Sequence, residues 1–153
     1  MKRKCIIVFS WLLVAALCVA IFHFSAQVAD DSAEQSAFFR ELFTKLFGVG
    51  FTEFFVRKMA HTLEYAALGF VSAFAFAYTL KKAKYFYFGI IFSFVYSITD
   101  EIHQLYVPGR SGQVRDVFVD LAGTLLGVLV LGCLYLIYRK VKGKKDVQGT
   151  QGN

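Results

Sequence analysis

Four long apolar runs, each bounded by charge, constrain this chain more than any other feature. Lys2-Arg3-Lys4 leads into a run from Cys5 to about Phe24, close to the ~20 residues needed to cross a ~30 Å hydrocarbon core. Further runs extend from about Lys58 to Leu80, Tyr85 to Thr99 and Val117 to Tyr138. Only 18% of residues are charged and 57% are hydrophobic, against about 25% charged in a soluble domain. The pattern predicts an all-α polytopic membrane protein of about four transmembrane helices.

The basic residues orient it. Lys2, Arg3 and Lys4, then Lys81, Lys82 and Lys84, then Arg139, Lys140, Lys142, Lys144 and Lys145 hold eleven of the 17 Lys and Arg. Basic residues at membrane edges mark the cytoplasmic side, so both termini and the 81–84 connection are expected inside. Residues 25–57 and 100–116 are then expected outside. The net charge of +6 is used up at these edges and forms no aromatic-interleaved patch, so nucleic acid is not an expected partner. Cys5, Cys18 and Cys133 share no short spacing and read as small hydrophobes.

This divides the chain into a first transmembrane helix (1–24), an extracytoplasmic loop (25–57), a three-helix core (58–138) and a basic tail (139–153). The basic start and apolar run could also be a secretory signal, although the run is long for one and no small-x-small cleavage site follows. In the loop, Phe38, Phe39, Leu42, Phe43, Leu46 and Phe47 recur at spacings of three and four, with Arg40, Glu41 and Lys45 between. That periodicity predicts an amphipathic helix, lying in the outer interface or packed on the bundle. The tail beyond Lys145 is expected to be disordered.

Gly123 and Gly127 stand four apart in the last run, with Gly132 beyond. Small residues at this spacing let helix backbones approach closely in lipid, and predict helix–helix association within one chain or between chains.

Three polar stretches depart from a plain bundle. The second run opens with Lys58, His61, Glu64 and Tyr65; the third closes with Asp100-Glu101-Ile102-His103-Gln104; after Val107-Pro108-Gly109-Arg110-Ser111-Gly112, Arg115, Asp116 and Asp120 lead into the fourth. The expected topology puts all three at one membrane level. Each ionisable residue within a span costs ~2.5–3.5 kcal/mol on insertion scales, so these groups should turn towards one another or a wet cleft. His61, Glu64 and Tyr65 share a helical face. Lys58, Arg110 and Arg115 are set against Glu64, Asp100, Glu101, Asp116 and Asp120, with His61 and His103. Such a set can serve as salt bridges fixing helix register, but register needs fewer charges than these.

The candidate ligand-binding residues are Lys58, His61, Glu64, Tyr65, Gln104, Arg110, Asp116 and Asp120. A guanidinium and an ammonium suit an anionic group, so the expected partners, besides membrane lipid, are an anionic lipid headgroup or a cell-wall precursor. Asp100, Glu101 and His103 are candidates for acid/base catalysis, and Ser111 with a histidine for a nucleophile. No metal site is expected, because neither HExxH nor a paired ExxH pattern occurs, and no cofactor is implied.

Those same stretches resemble the VanZ-like family of small bacterial membrane proteins, named for a protein linked to teicoplanin resistance. Its pattern of K-x-x-H-x-x-x-Y-x-x-L, D-E-x-H-Q, V-P-G-R and D-x-x-x-N/D-x-x-G is met by Lys58, His61, Tyr65 and Leu68, by Asp100, Glu101, His103 and Gln104, by Val107 to Arg110, and by Asp116, Asp120 and Gly123. The resemblance covers roughly residues 55–135 and implies a cell-envelope protein of a Gram-positive bacterium. It carries over no catalytic residue, so the leading expectation is a non-enzymatic binder contributing to resistance, with a membrane-embedded hydrolase or transferase acting on a lipid-linked substrate as the rival.

Overall fold

A computed structural model describes residues 2–27, 41, 44–45, 48, 50, 52–110 and 112–150, with the backbone alone at 53 and 144–150. Among the described residues there are four long helices: α1 (Lys2–Ser25), α2 (Glu53–Leu80), α3 (Phe86–Gln104) and α4 (Val114–Thr150), with a 3-10 turn at Ala83–Tyr85 before α3. Segments Lys2–Ser25, Phe54–Leu80 and Val114–Gly143 are long and apolar enough to cross a membrane. The acidic last turns of α3 dilute its hydropathy, yet its 19 residues reach ~28 Å.

Successive helices run antiparallel. At one end of the bundle Arg3 donates from Nη2 to the Tyr78 and Thr79 carbonyls at 3.0 and 3.3 Å. The Trp11 indole donates to Thr79 Oγ1 at 3.2 Å and its ring meets Phe76 edge-on at 4.9 Å. At the same end Phe86 meets Tyr135, over which Arg139 lies. Towards the other end, Tyr96 of α3 donates to the Cys18 carbonyl of α1 at 2.5 Å, and His103 stacks on Phe22 at 4.4 Å. The apolar core between them is built on Val14, Ile21, Tyr65, Leu68 and Ala75.

Helix α3 is inverted relative to a soluble amphipathic helix. Its buried residues are Gly89, Ser93, Ser97, Asp100, Glu101 and Gln104, whereas Tyr87, Ile91, Val95, Ile98 and Ile102 are exposed. Lipid accepts the apolar side chains, and the polar ones find partners only inside. The hydroxyl of Ser72 on α2 accordingly lies 3.3 Å from the Gly89 carbonyl and 3.3 Å from Ser93 Oγ.

Helices α2 and α4 approach by their backbones. A Cβ added at Gly123 would strike the Thr62 carbonyl, and one at Gly127 the Ala66 carbonyl, whereas one at Gly132 would meet nothing within 4 Å. The face that carries Gly123 and Gly127 is thus occupied by α2 of the same chain.

The helix limits differ from those expected. Helix α2 begins at Glu53 rather than Lys58, because Thr52 caps it by accepting from the Phe55 amide at 3.2 Å. Helix α3 continues through Asp100–Gln104 and α4 starts at Val114, since polar residues aimed inward need not end a helix. The tail expected to be disordered past Lys145 is helical to Thr150; extending an existing helix costs far less than nucleating one. Most of the predicted amphipathic segment lies outside the described residues. Within it Glu41 and Lys45 form an exposed i,i+4 ion pair at 2.8 Å.

Candidate functional site

The turn after α3 shapes one end of the bundle. Arg110 N donates to the Val107 carbonyl at 3.1 Å, closing a turn with Pro108 second and Gly109 third, at φ +76°. Proline presets the second position and only glycine takes the positive φ without strain. The chain then returns against α3, where a Cβ on Gly112 would strike the Glu101 carbonyl. The Gln113 amide donates to Glu101 Oε2 at 2.8 Å, so a carboxylate of α3 caps the positive end of α4.

Three helices deliver the charged groups here. Lys58 of α2 forms an ion pair with Asp116 of α4. One turn deeper His61 Nδ1 lies 3.7 Å from Asp120 Oδ1, too long for a hydrogen bond. Gln104 donates to Asp100 Oδ2 at 3.4 Å. Glu64 lies within electrostatic reach of Asp100 and Arg110, and Asp120 within reach of Glu101, Asp100, Asp116 and Glu64. The sequence-derived set therefore converges from separate helices, with Tyr65 buried among Asp100, Asp120 and Glu101.

Several of these atoms have no partner. Among the described residues His61 Nδ1, Tyr65 Oη, Glu101 Oε1, His103 Nε2, both oxygens of Asp120 and Thr124 Oγ1 are buried and make no hydrogen bond. A buried polar group left unsatisfied costs about 1–3 kcal/mol, more when charged. The carboxylate oxygens among them can only accept when ionised, so a group rich in donors suits them.

The basic groups are less free than their sequence implied. Arg110 donates from Nε to the Gln27 carbonyl at 2.9 Å and from Nη2 to the Phe24 carbonyl at 3.1 Å. It thereby bonds the Phe24 carbonyl in the last turn of α1 and the Gln27 carbonyl just beyond the helix end. Burial and the neighbouring Arg57 guanidinium hold Arg110 below the usual guanidinium range. Lys58 is committed to Asp116, and Arg115 is exposed, away from the cluster. Ser111 lies outside the described residues.

Sequence reasoning missed Ser25, Arg57 and Thr124. Ser25 is buried at the end of α1 and faces Asp100, but nothing in its sequence setting marks it. Arg57 acts on both His61 and Arg110 and stands beside Lys58, where it reads as a flanking charge. Thr124 adjoins Gly123, and the tight helix contact there was the available signal. Among the described residues no group of three or more His, Cys, Asp or Glu is placed to hold a metal ion.

A family model described as VanZ/LLP1 matches residues 9–137, reaching from within α1 through most of α4. No curated protein and no solved structure matches the chain. The chain belongs to the VanZ/LLP1 family.

Proposed function

From its membership of the VanZ/LLP1 family we propose that this chain is a bacterial cell-envelope protein that holds the polar head of a lipid or cell-wall precursor in the carboxylate cluster. Such binding would contribute to teicoplanin-type resistance by sequestering or shielding the component on which the drug acts. The observation that carries this reading is the set of buried carboxylate oxygens of Glu101 and Asp120 that accept no hydrogen bond among the described residues. A bundle that needed these acids only for register would pair them.

The basic clusters support the orientation. Lys2–Lys4, Lys81–Lys84 and Arg139–Lys142 lie at the bundle end opposite the cluster, and the positive-inside rule makes that end cytoplasmic. The cluster then faces the wall.

The test compares wild type with Glu64→Gln and Asp120→Asn in a teicoplanin-susceptible Gram-positive host, at equal membrane abundance. Wild type is expected to lower susceptibility, and the variants to lose that protection along with any co-purified polar lipid seen by native mass spectrometry. Unchanged protection and unchanged lipid retention in both variants would overturn the reading.

A second reading rests on the His61–Asp120 approach and the adjacent Asp100, Glu101 and His103. Carboxylates and imidazoles at one level can transfer protons, as a hydrolase or transferase acting on a lipid-linked substrate requires. Loss of function in Asp100→Asn with the polar lipid still retained would favour this enzyme.

A further inference from the structure

Two contacts bracket one stretch of the interface between α2 and α4. His61 Nδ1 lies 3.7 Å from Asp120 Oδ1, and further along α2 a Cβ added at Gly69 would come within 3.0 Å of Thr124 Cγ2. Tyr65 stands midway between His61 and Gly69 at helical spacing, and Asp120 and Thr124 are a turn apart on α4, so each helix turns one face to this stretch. Tyr65, Asp120 and Thr124 are all 0% exposed.

None of their side-chain oxygens makes a hydrogen bond among the described residues: Tyr65 Oη, Asp120 Oδ1, Asp120 Oδ2 and Thr124 Oγ1. The bases on this face of α2 do not serve them. Lys58 is paired with Asp116, and His61 stops short of hydrogen-bond distance from Asp120. An ionised carboxyl in such a place carries a large desolvation cost until an opposite charge reaches it.

The chemistry of the set defines what suits it. The carboxylate can only accept, and the two hydroxyls carry lone pairs of their own. Hard cations take oxygen ligands, and a single carboxylate neutralises a single positive charge. A divalent ion draws on more carboxylates, and among the described residues no group of three or more His, Cys, Asp or Glu is placed to hold a metal ion. The backbones meet closely on both sides of the stretch, Thr62 against Gly123 and Gly69 against Thr124, which favours a small ion over a large one.

We propose that Asp120, Tyr65 and Thr124 hold a sodium ion between α2 and α4, Asp120 through its carboxylate and the other two through their hydroxyl oxygens. The ion lets Asp120 stay ionised inside the bundle and ties the two helices together. This goes beyond the headgroup reading. Glu101 accepts from the Gln113 amide just before α4, and Asp120 lies ~10 Å further along that helix. The free Glu101 Oε1 therefore stays open to a polar head above the ion.

Binding of radiolabelled sodium to the purified full chain in detergent, with ionic strength held by choline chloride, tests it. Wild type is expected to bind saturably, Tyr65→Phe and Thr124→Val to bind about tenfold more weakly, ~1.4 kcal/mol each, and Asp120→Asn not at all. Thermal unfolding gives a second readout. Exchanging choline for sodium is expected to raise the wild-type unfolding temperature, since the ion binds only the folded state, and to leave Asp120→Asn unmoved. In choline alone that variant is expected to melt at or above wild type, which separates loss of the ion from loss of the fold.

Absence of saturable sodium binding in wild type overturns the proposal. So does binding that persists in Asp120→Asn, unchanged affinity in both hydroxyl variants, or a potassium salt as effective as sodium in both assays. Polar lipid still co-purifying with a wild type that binds no sodium overturns the ion site alone and leaves the headgroup reading intact. Sodium bound by a chain that retains no polar lipid and confers no protection supports the ion site and overturns the headgroup reading.

Discussion

The imidazole of His61 and the carboxylate of Asp120 face each other across the α2–α4 contact at 3.7 Å, neither completing a hydrogen bond with the other. Nor does His61 Nδ1 or either Asp120 oxygen find another partner. This pair lies beside a close backbone approach of α2 and α4, where Gly123 meets Thr62.

The buried Asp120 carboxyl makes a measurable prediction. Asp120→Asn removes a charge that costs ~2.5–3.5 kcal/mol within a span while keeping the side chain's shape. The variant is expected to unfold in detergent at or above the wild-type temperature while losing function. Destabilisation by 2 kcal/mol or more would instead make Asp120 a structural register charge.

Lys58 and Asp116 present the opposite case. Removing one member of a largely buried pair strands the other, so Lys58→Met is expected to cost about 3 kcal/mol. Adding Asp116→Asn should restore most of the loss. A double-mutant cycle in thermal or chemical unfolding measures the coupling, and simple additivity would contradict the pairing seen here.

The glycines of α4 divide by position. Gly127→Ala drives a methyl into the Ala66 carbonyl and is expected to cost about 1–3 kcal/mol, while Gly132→Ala meets open space and should be neutral or slightly stabilising through helix propensity. Unfolding temperatures of the two variants, in the same detergent, distinguish them directly.

Arg110 ties the N-terminal helix to the turn. In an Arg110→Ala background the end of α1 loses both side-chain donors, and the buried Ser25 position should open. A Ser25→Cys substitution is expected to react with a water-soluble maleimide about tenfold faster once Arg110 is replaced, an opening free energy lowered by ~1.4 kcal/mol. Equal labelling rates would show that α1 is held by its apolar contacts alone.

The helices were legible because hydropathy and length suffice to define spans, and the basic clusters at Lys2–Lys4, Lys81–Lys84 and Arg139–Lys145 fixed which ends belong together. The convergence of His61, Asp100 and Asp120 followed from the same reasoning, since alternating crossings bring those three stretches to one level.

Partnership was not legible. The sequence offers Arg110 as a free cation, and only the fold shows it reaching the Phe24 carbonyl of α1 and the Gln27 carbonyl just after it, more than eighty residues earlier. It offers Lys58 and Arg115 alike as basic members of the polar set, whereas the fold pairs the first with Asp116 and exposes the second. The sequence by itself determined that costly polar groups would be gathered at one end of four apolar helices, because lipid permits them nowhere else. Only the tertiary structure decided which of them neutralise one another and which stay bare, because that depends on ångström-scale helix contacts such as Gly123 on Thr62, which periodicity does not encode.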